Sequence, residues 1–288
     1  MWIARAAGGL LALALVVAVG SGCSAHGGPG HGPGFAVGAR PTAESKLLAA
    51  VYVAALRSYG FGARTETAPD PMVELDSGAV TVVPAFTGTV LHSLQPDSSA
   101  RSDKQVYRTM NSALPEGIAA GDYATEADDK PALVVTPATA RAWGGEELSL
   151  LLRHCDGMRA GRIAGSDGPA SVGTCRLSVI GEFSDTATMF AALRDGQLTA
   201  AWATAADPGI PPDLVVLADS GKSPLIRAEN VVPLYRRNAL NTGQLLAVNE
   251  VAGILDTAAL ADMRGKVAAG ADPQAVADAW LAEHPLGR

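Results

Sequence analysis

Between Phe35 and Phe86 the chain alternates short apolar runs with helical stretches, and no other feature constrains the fold as much. "FAVGAR" reads as a strand. Thr42 can cap a helix carrying Leu47, Leu48, Val51, Tyr52, Ala55 and Leu56, which fall on one helical face, and Gly60 ends it. "ARTET" is the next extended piece, "PMVEL" a short helix, and "AVTVV" a strand leading into "VVPAFTGT". A β-α-β-α-β pattern over about fifty residues predicts a parallel sheet flanked by helices, with ligands beyond the carboxyl ends of the strands.

Residues 101–120 read as helical and then loop-like, and "PALVVT" at 131–136 as a fourth strand of the same lobe. A second α/β unit follows, with a helix around Glu146 to Arg153, a loop between Cys155 and Cys175, "RLSVIGE" as a strand and "TATMFAALRDG" as a helix. "LTAAWAT" and "DLVVLAD" complete it as strands. "NVVPLYRR" is an extended return, and the remainder is helical, with Asp272-Pro273 as a helix start. A chain that builds one lobe, inserts a second and returns is expected to have two crossovers and a cleft that closes. The expected boundaries are 35–134 plus 234–288 for the first lobe and 135–233 for the second. The hinge is expected near Val134 to Pro137 and Val231 to Leu234.

The amino-terminal residues predict export. Met1 to Arg5 form a short positive end and Ala6 to Val19 an apolar run of signal-peptide length, too short to span a bilayer. Gly20-Ser21-Gly22-Cys23 resembles the lipobox of bacterial lipoproteins, which implies a signal peptide over 1–22, acylation of Cys23 and location on the outer face of the cytoplasmic membrane. "SAHGGPGHGPG" then has little to pack, so 23–34 is expected to be a flexible tether, in which His26 and His31 bind no metal. In an exported chain Cys155 and Cys175 can be bridged or be two buried free thiols, and the Gly-rich segment between them favours the bridge. The charge of −7, without a lysine or arginine cluster, excludes nucleic acid as a partner.

Six stretches, "PTAESKLLAAVYVAALRSYGF", "SGAVTVVPAFTGT", "LPEG", "DKPALVVT", "NVVPLYRR" and "GADPQAVADAWLAEH", occur in an order and spacing that resemble the substrate-binding proteins of quaternary-amine ABC importers. These carry glycine betaine, carnitine, choline and related osmoprotectants. The resemblance covers nearly the whole chain from Phe35 to His284. Its strongest piece, "VVPAFTGT", is similar to the family's D-L-Y-P-E-Y-T-G-T. The family implies a type II periplasmic-binding-protein fold, two α/β lobes joined by two crossovers, with a small quaternary amine and a membrane permease as partners and no cofactor. A monomer is expected.

A quaternary ammonium has no N–H to donate, so a protein holds it with aromatic faces, each contributing about 0.5 to 2 kcal/mol. A carboxylate on the same ligand asks for hydroxyl and amide donors. Phe86 beside Thr87 and Thr89 offers both. By the resemblance, Phe86 and Trp202 stand where the family has cage tyrosines, Thr89 where a threonine reaches the ligand, and Asp129 where an acidic residue lies beside the ammonium. Glu44 lies where polar residues face the cleft. Pro131 departs from the pattern by replacing an aromatic, as does Glu229-Asn230, which occupies the place of a tyrosine. Glu229 could balance a cation by charge. Tyr107, Trp143 or Tyr235 could complete the cage, although Trp143 and Tyr235 suit packing better.

Two other functions compete. A secreted hydrolase would need a nucleophile, yet the mature chain has no G-x-S-x-G and His92, His154 and His284 show no metal spacing. A degenerate member that kept the fold for another small ligand or a protein partner would explain the missing aromatics.

Overall fold

The computed structural model describes residues 34–166, 168–169 and 171–287. The expected signal peptide, the acylated Cys23, both tether histidines and all but the last residue of the tether lie outside the described residues.

Strand β1 (Phe35–Ala39) leads to helix α1 (Ala43–Ser58), whose first turn is held by the Thr42 hydroxyl accepting from the Ser45 amide. Gly60, with φ 82°, turns the chain after it, a conformation that a Cβ would penalise. The ten residues from Leu47 to Leu56 are all buried, not one face only, because α1 packs against β1 and β2 (Ala63–Thr67) as well as α7 (Thr242–Glu250), α8 (Thr257–Ala268) and α9 (Pro273–Glu283). A helix apolar all round is a buried helix. Helix α2 (Pro71–Ser77) then leads to β3 (Val82–Phe86), and helix α3 (Thr87–Leu94) starts directly on the next residue.

The first sheet has the order β2-β1-β3-β12-β4. β1 is parallel to both β2 and β3, as the alternation requires, whereas β12 (Val231–Arg236) is antiparallel to β3 and to the short β4 (Ile118–Ala120) that follows α4 (Asp103–Ala113). β4 lies within the stretch read as loop, and its three residues are too few for a periodic signal.

The second sheet has the order β11-β5-β10-β6-β9. β5 (Pro131–Val135) runs antiparallel to β10 (Ala200–Thr204) and β11 (Val215–Val216), and β6 (Arg159–Ile163) runs parallel to β10 and β9 (Ser178–Phe183). Helix α5 (Pro137–Trp143), a 3-10 turn over Leu148–Arg153, the hairpin β7 (Ser171–Val172) with β8 (Cys175–Arg176) and helix α6 (Thr186–Arg194) complete this lobe. Cys155 and Cys175 are joined as a disulfide with Cα atoms 5.5 Å apart, and it ties the hairpin to the 3-10 turn.

The lobe boundaries need correction. β5 belongs wholly to the second sheet and β12 wholly to the first, so neither Val134–Pro137 nor Val231–Leu234 is a free connector. The chain crosses between the lobes at 128–130 and 227–230, since Ala124 and Ala127 still pack in the first lobe's core and Leu217 and Ile226 in the second's. A ladder-bonded strand cannot absorb large dihedral changes, and apolar runs such as "PALVV" and "VVPLY" are ladder strands. The connectors run side by side, with Asp128 and Asn230 paired as an isolated antiparallel bridge.

Candidate functional site

β3 delivers Phe86 to the carboxyl edge of the first sheet, and α3 begins there with Thr87, Gly88 and Thr89. Two of the expected contacts prove to be stitches. Thr87 is fully buried, its amide donating to the Asn230 carbonyl at 2.9 Å and its hydroxyl accepting from the Asn230 amide at 3.1 Å. Asn230, 1% exposed, donates through Nδ2 to the carbonyls of Ala124 and Thr125. They fasten the second connector to the first lobe.

Glu229 sits at the amino end of α3, where its carboxylate accepts from the Thr89 amide at 2.8 Å and the Thr89 hydroxyl at 3.2 Å. Gly88 permits this approach, since a Cβ there would lie 2.5 Å from the Ala228 carbonyl oxygen and 2.7 Å from the Glu229 carboxyl. Burial raises the Glu229 pKa to about 7, against the lowering effect of the two Thr89 donors. The folded state therefore holds a proton that the unfolded chain, with an ordinary value of 4.5, has released. Stability should fall as pH rises from about 4.5 to about 7. Unfolding free energy measured across that range is expected to show the fall in the wild type and to lose it in Glu229→Gln.

Asp129 follows the first bridge residue and is buried, at 8% exposure. Its Oδ1 accepts from the Ala206 amide at 2.9 Å and its Oδ2 from the Arg264 guanidinium at 2.7 Å. Glu44, in the first turn of α1, pairs with the same guanidinium. Arg264 comes from α8, donates also to the Ala206 carbonyl at 3.2 Å, and stands 5.9 Å over the centroid of the Phe86 ring. Asp207, in the loop after β10, adds a third carboxylate. Burial raises the pKa of Glu44 and of Asp207, with Asp129 pushing each further up and Arg264 pulling each down. Three carboxylates and one guanidinium make the site strongly acidic on balance.

Two cavities meet at Glu44. One, of about 260 Å³, lies where the lobes face each other and is lined by Glu44, Leu47, Thr204, Asp207, Arg264 and Val267, among others. The other, of about 340 Å³, opens along the carboxyl edge of the first sheet and brings Phe86 and Thr89 together with Arg40, Thr42, Glu44 and Ser45. Phe86 is the one aromatic ring lining either cavity among the described residues.

Trp202, expected in the cage, is instead a core residue of the second lobe. It is 3% exposed and clusters with Leu133, Leu217 and Ile226. β10 lies inside its sheet and is covered on both faces, so a large ring on it finds a core and not a cleft. The other rings do not complete a cage either. Tyr107 stacks on Tyr123, Trp143 stacks on His154, and Tyr235 packs against the core around α1.

Arg264 and Asp207 were missed by the sequence reading. A signal for Arg264 existed, because Leu260, Met263, Arg264 and Val267 form one helical stripe with an arginine in an otherwise apolar series. Asp207, in a loop, gave none.

Two α/β lobes joined by paired connectors, with a parallel-sheet edge facing a cleft, define a type II periplasmic binding protein, a receptor for small solutes. The chain belongs to the family described as the substrate-binding domain of ABC-type glycine betaine transport systems, which matches residues 36–283. Its role is to bind solute for an ABC importer, and family members work outside the cytoplasm beside a permease. Among solved structures it is similar to apo YehZ from Escherichia coli, at 19% identity and a TM-score of 0.68 over 88% of this chain and 99% of that one. It is also similar to a glycine betaine/carnitine/choline ABC transporter protein, at 16% identity and a TM-score of 0.69 over 87% of this chain and 98% of that one. A choline-binding ABC transporter protein in complex with choline is 17% identical, with a TM-score of 0.54 over 87% of this chain and 88% of that one. No curated protein matches by sequence.

Proposed function

We propose that the cargo is a small quaternary amine, bound with its ammonium against Phe86 and inside the carboxylate cluster of Glu44, Asp129 and Asp207. The observation that carries this reading is that a cation already lies over the Phe86 ring with carboxylates around it. In a cage thinned to one aromatic, Coulomb attraction to acidic groups does the work that further rings do elsewhere. Arg40 and the hydroxyls of Thr42, Ser45 and Thr89 line the adjoining cavity and suit the carboxylate of a betaine or carnitine. The paired connectors 128–130 and 227–230 act as the hinge, and closure delivers cargo to the permease.

The chain does no chemistry on the cargo. Supporting this, His154 and His284 are stacked on Trp143 and Trp280, and His92 is exposed on α3. Cys23 carries the lipid that holds a monomeric receptor beside its permease on the outer face of the cytoplasmic membrane.

Isothermal titration with glycine betaine, proline betaine, carnitine and choline tests the reading. Saturable heat with at least one is expected, weakened about tenfold in Phe86→Ala, as a lost cation–π contact of 1 to 2 kcal/mol requires. A folded protein silent across the panel would instead support a degenerate member with another ligand or a protein partner.

A further inference from the structure

The residue that fills the candidate cation position is one of the chain's own. The Arg264 guanidinium stands over Phe86, is paired with Asp129 and Glu44, and keeps only 11% of its side-chain surface exposed. Its Nε is buried without a hydrogen-bond partner among the described residues. A guanidinium with an unsatisfied donor is held there by charge and by the ring more than by a complete set of hydrogen bonds. Helix α8 carries it to the site. That helix is anchored at its start beside the entry to the first connector, where the Thr257 hydroxyl donates to the Glu126 carbonyl at 2.8 Å and accepts from the Asp128 amide at 3.0 Å.

We propose that Arg264 is a resident competitor of the cargo: its guanidinium holds the place on Phe86 that the cargo's ammonium takes, and binding is an exchange of one cation for the other. This inference rests on the quaternary-amine reading and deepens it. Exchange has a simple electrostatic logic. The carboxylates around Phe86 keep a cation beside them in both states, so neither state leaves a bare buried negative cluster, the costly alternative. The side chain can withdraw along the 260 Å³ cavity, which Arg264 lines together with Asp207, so a carboxylate waits there to receive it. The consequence is a receptor tuned for weak binding. The intrinsic affinity of the Phe86 site is multiplied by the fraction of molecules in which Arg264 has left it, so a competitor present in 99% of molecules lowers affinity about a hundredfold.

Choline is the discriminating probe, because it has the quaternary ammonium and no carboxylate. Titration of the full chain should show choline and glycine betaine each binding at least tenfold more tightly to Arg264→Gln than to the wild type. The glutamine keeps a donor for Asp129 and removes the charge. Guanidinium chloride at millimolar concentration, far below denaturing levels, should compete with choline in this variant, since it restores the missing cation. Arg264→Lys, which preserves the ion pair but not the planar face, gives a second test should the glutamine variant fail to fold, with intermediate affinity expected.

Unchanged or weaker choline binding in folded variants, alongside measurable wild-type binding, would overturn the exchange and leave the cargo reading standing. Loss of glycine betaine affinity alone would also overturn it, making Arg264 the partner of the cargo's carboxylate. Silence of wild type and variants alike would overturn the cargo reading and this inference with it.

Discussion

Replacing Asp129 with alanine is expected to lower the unfolding free energy by about 3 to 5 kcal/mol, the usual cost of removing one partner from a buried ion pair. Asp129 is 8% exposed and answers both the Arg264 guanidinium and the Ala206 amide, so the change strands a charge and a backbone donor together. Glu44 meets the same guanidinium, yet its side chain keeps 45% of its surface, and Glu44→Ala should cost under about 1 kcal/mol. Urea unfolding of the two variants side by side checks the contrast. Equal, small losses would mean that Asp129 is not the anchor of Arg264 and that the guanidinium is held by exposed contacts.

The second large effect is expected at the disulfide. Cys155 and Cys175 are 20 residues apart in sequence, and opening a loop of that size returns about 3 kcal/mol of chain entropy to the unfolded state. In a domain of this size that is a fall in Tm of roughly 6 to 10 °C. The double variant Cys155→Ala, Cys175→Ala should show it, and dithiothreitol should lower the wild type towards the variant while leaving the variant unmoved. Cys175 is itself buried in the second lobe's core with Leu151, Met158 and Val172, so part of the loss in the variant is packing. The reductant arm separates the two. A wild type indifferent to reduction would mean that the cross-link does not stabilise the fold.

Most of the architecture was legible because its signals are local. The Thr42 cap, the apolar helix from Leu47 to Leu56, the Asp272-Pro273 start and the alternation up to Phe86 depend on neighbours a few residues away. What escaped depends on distant partners. Which sheet receives Pro131–Val135 is decided by pairing with β10, about seventy residues on, and no periodicity reports it. Trp202 shows the same limit, since an aromatic in a strand between alanines fits a cleft or a core until the covering layer is known.

The site was legible as residue types more than as roles. Phe86, Thr89, Glu44, Asp129 and Glu229 do gather near the carboxyl edge of the first sheet, but two of the carboxylates are engaged by Arg264 and the third by Thr89. A long side chain from a helix 135 residues beyond Asp129 holds that carboxylate and Glu44 together. Nothing near any single member foretells that meeting, although the arginine in the stripe Leu260, Met263, Arg264, Val267 marks a buried charge in search of partners.

The most direct test is a crystal structure with choline at saturating concentration. The trimethylammonium is expected within about 6 Å of the Phe86 centroid, faced by the Glu44 and Asp129 carboxylates, with the Arg264 guanidinium withdrawn from the ring towards Asp207. Choline bound elsewhere, with Arg264 still over Phe86, would contradict it.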